Sequence, residues 1–164
     1  MKPNRSGLTS AVMVAAGVVC GFAVAVAWEN GALAQSANAR RVIRPANAPN
    51  TGLPFSPGIL AANTLFISGH LGRDPKTNAL VRGGVEAETR QSLANIREVL
   101  RAAGMDFKDV TTETAYITSF SDFPKFNAIY RETFPTDQPA RATVQVAALN
   151  DGALVELQMI AVKP

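Results

Sequence analysis

The chain reads as an α+β domain, with elements in the order β-β-α-β-α-β-β and both helices on one face of one sheet. Three observations predict this. From Val85 to Ala103, Leu93, Ile96, Leu100 and Ala103 recur at three- and four-residue steps with charges between them, the period of an amphipathic helix. A second stretch, 122–134, carries Phe123, Phe126, Ile129, Tyr130 and Phe134 as its apolar positions. Around these two lie short runs rich in β-branched residues, at 64–68, 110–119 and 139–162.

The N-terminal 34 residues are of another kind. Lys2 and Arg5 open the chain, no charge occurs from Leu8 to Trp28, and Ala32-Leu33-Ala34 precedes Gln35. A basic start, an apolar middle and a small-x-small end are the parts of a secretory signal peptide, with cleavage expected after Ala34. The alternative is an uncleaved N-terminal membrane anchor, because the apolar run reaches the ~20 residues a spanning helix needs. Cleavage predicts a periplasmic or secreted protein of 130 residues, without stable membrane association and large enough for one core. The single cysteine, Cys20, would leave with the signal, which excludes disulfides, thiol nucleophiles and thiolate metal sites from the mature chain. The formal charge of +3 falls to +2 when Lys2, Arg5 and Glu29 are removed, a balance that predicts no nucleic-acid partner.

Residues 35–50 are rich in Ala, Asn and Pro and have no period, and they read as a tether laid along a folded domain spanning 51–164. Phe55–Ala62 and Thr64–Ser68 fit a hairpin around Ala62-Asn63, and 69–84 reads as a loop by its Gly, Asp-Pro and Asn content. The first helix carries Glu86 and Glu88 near its start and Arg97 and Arg101 near its end, with Gly104 as its stop. The strand 110–119 sets Val110, Thr112, Thr114 and Tyr116 against Thr111, Glu113, Ala115 and Ile117. Ser121 is placed to cap the second helix, with Pro124 in its first turn. Two further runs flank Asn150-Asp151-Gly152, residues that tolerate positive φ, and read as strands joined by a tight connection.

Two charges in that last region stand out. Arg141 leads into the first run, and Glu156 lies between Val155 and Leu157 in the second. Such charges are most often surface residues or a structural ion pair. Glu156, however, shares its face with Leu154, Gln158, Ile160 and Val162, too apolar a setting for a freely solvated carboxylate. That face has no helix to cover it, which points to an oligomer with Glu156 near the boundary.

Several segments taken together resemble the RidA/YjgF family of reactive intermediate deaminases. They are Phe66-Ile67-Ser68-Gly69, Ala87 to Gly104, Phe123 to Phe134, Pro139-Ala140-Arg141 with Val144 and Val146, and Val155-Glu156-Leu157 before Ile160-Ala161-Val162. The resemblance runs from about Asn47 to Val162. It implies a chorismate-mutase-like fold and a homotrimer with clefts between subunits, where enamines and imines are hydrolysed to 2-oxo acids and ammonia without metal or cofactor. It also implies roles: Arg141 to grip a substrate carboxylate, Glu156 to orient and activate water, backbone near Gly69 and Thr143 to line the pocket, and Ser68 and Asn127 at the cleft. The chain departs from the family pattern at three places. Phe55 stands where a Tyr is usual, His70 where a Gln commonly follows Ser-Gly, and Gln158 where a second acid often occurs.

The residue types suit that chemistry by themselves. A guanidinium binds a carboxylate through two parallel charge-assisted hydrogen bonds. A carboxylate on an apolar face has a raised pKa, which suits proton transfer. His70, the one histidine, has neither thiols nor paired carboxylates to make a metal site with it. A second class of function uses the same residues: a non-catalytic binder or sensor of 2-oxo acids and small carboxylates. Phe55 favours the binder, and Glu156 favours the enzyme.

Overall fold

The computed structural model describes residues 39–49 and 52–164; the expected signal peptide lies outside the described residues. In these residues six strands form one sheet, β1 (Arg41–Ile43), β2 (Gly58–Ala61), β3 (Thr64–Leu71), β4 (Val110–Ile117), β5 (Ala140–Gln145) and β6 (Val155–Val162), in the spatial order β1-β2-β3-β6-β4-β5. All pairings are antiparallel except β4 with β5. Two helices, α1 (Gly84–Ala102) and α2 (Phe123–Thr133), make the crossovers β3-α1-β4 and β4-α2-β5. This is the α+β fold expected of the chain, with β1 added.

The period of two sorts the sheet cleanly. On β6, Val155, Leu157, Met159 and Ala161 are buried, and they meet Ile96, Val99 and Leu100 of α1 and Phe126 and Ile129 of α2 in one core. Read across the strands, one row on this covered face runs Ile43, Gly58, Ile67, Met159, Glu113, Arg141. A row on the opposite face runs Val42, Ile59, Phe66, Ile160, Thr112, Ala140. Val42 and Phe66 of that second row are about half exposed, as is Val144 nearby.

α1 ends as its sequence directs. Gly104 sits at φ 71°, its N–H donates to Arg101, and the Met105 N–H donates to Leu100, which together close a Schellman motif. Three expectations are corrected. Residues 41–43, within the stretch read as a tether, form β1, and Ile43 reaches the core. Ser121 does not cap α2; Ser119 accepts from the Ser121 N–H at the head of a 3₁₀ turn that leads into it. β5 and β6 are not a hairpin. The Asn150-Asp151-Gly152 turn forms, with Asp151 and Gly152 at positive φ, but the connection carries the chain over the end of β4, which lies between the two strands. Val146 N–H donates to Ile117 and Thr118 N–H to Leu154 along that path.

Candidate active site

Arg141 is the second residue of edge strand β5, on the covered face. Positions 123, 126, 127 and 130 of α2 recur at helical spacing and present three rings and an amide to it. The guanidinium carbon lies 4.5 Å from the Tyr130 ring centroid, 5.4 Å from Phe126 and 5.8 Å from Phe123. Its Nη2 donates to Asn127 Oδ1 at 2.7 Å. No acidic side chain is within ion-pair distance of it among the described residues. Arg141 is therefore held by ring faces and a neutral oxygen, and the residue as a whole is exposed. Thr143, two residues on, shares that face and is half-buried.

Glu156 lies on the other face, beside Leu71 and Tyr116 across the ladder. It is half-buried, and loss of hydration pushes its carboxyl above the usual range. A cleft of about 540 Å³ opens beside it, lined in part by Phe55, Gly69, His70, Arg73 and Asp151. The cleft owes its shape to a β-bulge in β3 between Ile67 and His70. Gly69 sits in that bulge, and a Cβ there would be 1.8 Å from Glu156 Oε1, so the backbone approaches the carboxylate as only glycine permits. The Ser68 hydroxyl donates to the Ser56 carbonyl at 2.6 Å, and its N–H donates to Pro57, which ties the segment carrying exposed Phe55 to the bulge. Arg73 forms an ion pair with Asp151 across the same cleft. Burial lowers the His70 pKa to about 4, leaving a neutral ring that is too weak a base for work near neutrality.

The expected site residues thus fall into two groups. Arg141, Asn127 and Thr143 are at the edge of the covered face; Glu156 is on the opposite face, and Gly69 and Phe55 line the cleft beside it, which Asn95, Glu98 and Val99 of α1 also line, with Ser68 in the adjoining bulge. Within one chain the sheet separates them. Two neighbours of Arg141 escaped the reading of the sequence: Tyr130, taken as packing, and Glu113, its partner across the parallel pair. Glu113 is fully buried. The alternation of β4 already assigned it to the face of Ala115 and Ile117, the same signal that singled out Glu156.

The model of the endoribonuclease L-PSP family matches residues 45–163. The human 2-iminobutanoate/2-iminopropanoate deaminase is 43% identical over 124 residues, which cover 76% of this chain and 90% of that protein. The crystal structure of YyfA, a Rid family protein from Yersinia pestis, superposes with a TM-score of 0.73 at 40% identity over 76% of this chain and all of that one. Escherichia coli TdcF with bound serine superposes with a TM-score of 0.71 at 30% identity, over 76% and 99%. The match spans β2 to β6 and takes in both halves of the site, so this chain belongs to the endoribonuclease L-PSP family, the RidA/YjgF group.

Proposed function

We propose that the protein is an imine deaminase that hydrolyses small 2-imino acids and their enamine tautomers to 2-oxo acids and ammonia, in clefts completed by two copies of the chain within a homotrimer. The observation that carries the reading is the placement of a guanidinium without an ion-pair partner among the described residues and a half-buried carboxyl on opposite faces of one sheet. Neither can serve the other's ligand within a chain, whereas a neighbouring copy brings its own Glu156 to the Arg141 edge. The human relative is named for 2-imino acids, and the TdcF structure holds an amino acid.

The chemistry follows from the groups available. Arg141 takes the substrate carboxylate through two charge-assisted hydrogen bonds of roughly 1.5–3 kcal/mol each. Asn127 and the three rings fix the guanidinium plane, so little freedom is lost on binding. Glu156 accepts a proton from water as the oxygen adds to the C=N carbon. It returns that proton to the nitrogen of the tetrahedral adduct. Glu156 next carries the hydroxyl proton of the adduct to the same nitrogen, the oxygen becomes the carbonyl as the C–N bond breaks, and ammonia and the 2-oxo acid are released. The raised pKa of Glu156 suits both directions of transfer. Phe55 has no hydroxyl to offer the adduct, which is the observation that favours a binder of 2-oxo acids as the second reading.

Two substitutions separate the readings. Arg141→Ala is expected to cost about 2–5 kcal/mol of 2-oxo acid binding and to abolish turnover. Glu156→Gln is expected to keep or tighten that binding and to cut turnover roughly 10²–10⁴-fold. Calorimetry and an imine-hydrolysis assay, with the imine generated in place by an amino-acid oxidase, measure both. A wild type that binds 2-oxo acids and hydrolyses no imine establishes the binder. We further propose export with cleavage after Ala34, on the basic, apolar and Ala-x-Ala pattern of residues 1–34. N-terminal sequencing of the native protein is expected to begin at Gln35, and a cytosolic protein beginning at Met1 would contradict it.

A further inference from the structure

The row across the covered face is apolar from Ile43 to Met159 and ends in two charged residues, Glu113 and Arg141, side by side on β4 and β5. Glu113 is completely inaccessible, and neither of its oxygens is within hydrogen-bonding geometry of a partner among the described residues. The buried Tyr130 hydroxyl, on the ring that carries the Arg141 guanidinium, is the one side-chain donor that bears on Glu113, and it is too loosely placed for a well-formed hydrogen bond. A buried carboxyl with only one loosely placed donor beside it is expensive to keep. What it has is a position behind the anchor.

We infer that Glu113 is a positioning residue for Arg141: neutral, it leaves the guanidinium an unopposed cation for a substrate carboxylate, and ionised, it competes with that carboxylate. The inference rests on the reading of Arg141 as the carboxylate anchor. The groups that bear on Glu113 are few. α2 contributes Tyr130 and β5 contributes Arg141; β6 contributes uncharged Met159. Glu88, the buried acid of α1, is already taken by the Leu154 N–H at 2.8 Å. Burial raises the Glu113 pKa to about 7, against the smaller opposing pulls of Tyr130 and Arg141, so both states of the carboxyl are populated near neutrality. A bound carboxylate beside Arg141 offsets the cation's pull and favours the protonated form. Binding must then take up protons near pH 7, and affinity must fall as pH rises through that value.

The test is calorimetry of 2-oxobutanoate, which has no titrating group in the range, on full-length wild type, Glu113→Gln and Arg141→Ala from about pH 5.5 to about pH 8.5. The ratio of wild-type to Glu113→Gln Kd is expected to rise roughly fivefold across that range, and near pH 7 the wild type alone is expected to take up a fraction of a proton, read from buffers of different ionisation enthalpy. Loss of binding in Arg141→Ala with a constant Kd ratio overturns the role of Glu113 and spares the anchor. Undiminished binding in Arg141→Ala overturns both. Should Glu113→Gln not fold, the wild-type proton count decides: uptake near pH 7 supports the role, and none overturns it.

Discussion

Glu113 also makes the fold sensitive to pH. Its carboxyl has a pKa of about 7 folded against 4.5 for an unperturbed Glu, so the folded state holds a proton that the unfolded chain gives up. A raised folded pKa contributes stability that is complete below pH 4.5 and is lost as pH climbs through about 7. Glu113→Gln removes that loss. Urea unfolding is expected to find the variant about 2–4 kcal/mol more stable relative to wild type at pH 8.5 than at pH 4.5, and an equal difference at both would contradict this account. At this scale the sequence was legible where a charge broke an apolar pattern strongly. Glu156, flanked by Val155 and Leu157, did so. Glu113 sits among Thr111, Thr112 and Thr114, which make the strand look polar on both faces and hide a buried acid. That Asn127 belongs at the cleft followed only from the family resemblance, and its bond to Arg141 was not foreseen, because a contact between an edge strand and a helix leaves no local trace in the sequence.

Elements set by local rules came out close to where the sequence put them. α1 was expected over 85–103 and spans Gly84–Ala102; α2 was expected over 122–134 and spans Phe123–Thr133. Helical period and a glycine stop are properties of neighbours in the chain. The expected β5–β6 hairpin failed because strand pairing is not. The turn at Asn150 formed as its residues direct, yet β4 inserted between the two strands, with Ala115 and Ile117 buried in the core. Close packing of α1 on β3 is equally non-local and is carried by one glycine. A Cβ on Gly72 would lie 2.5 Å from Glu88 Cα and 2.7 Å from its carbonyl oxygen, backbone atoms that cannot step aside. Gly72→Ala is expected to cost roughly 1–3 kcal/mol, seen as a lower urea midpoint at unchanged slope. An unaltered midpoint would mean that α1 floats on the sheet. The Arg90–Glu132 pair between α1 and α2 is a weaker tie, because both side chains are more than half exposed.

For the whole molecule, the arrangement of the two faces decides what one chain can do. The helices cover one side of the sheet and leave Val42, Phe66 and Val144 half exposed on the other. A protein of this size seldom leaves such a row to water unless a partner covers it. Glu156 belongs to that uncovered side and Arg141 to the covered one, so the proposed reaction needs more than one copy. Complementation between inactive subunits tests this most directly. Arg141→Ala and Glu156→Gln chains, each inactive alone, are coexpressed in equal amounts so that mixed oligomers form. If each cleft takes Arg141 from one copy and Glu156 from its neighbour, about one quarter of the clefts in the mixed population carry both residues, and the same fraction of wild-type imine hydrolysis is expected to return. Mixed oligomers that form and hydrolyse no imine would place both residues in one chain's site and contradict the account.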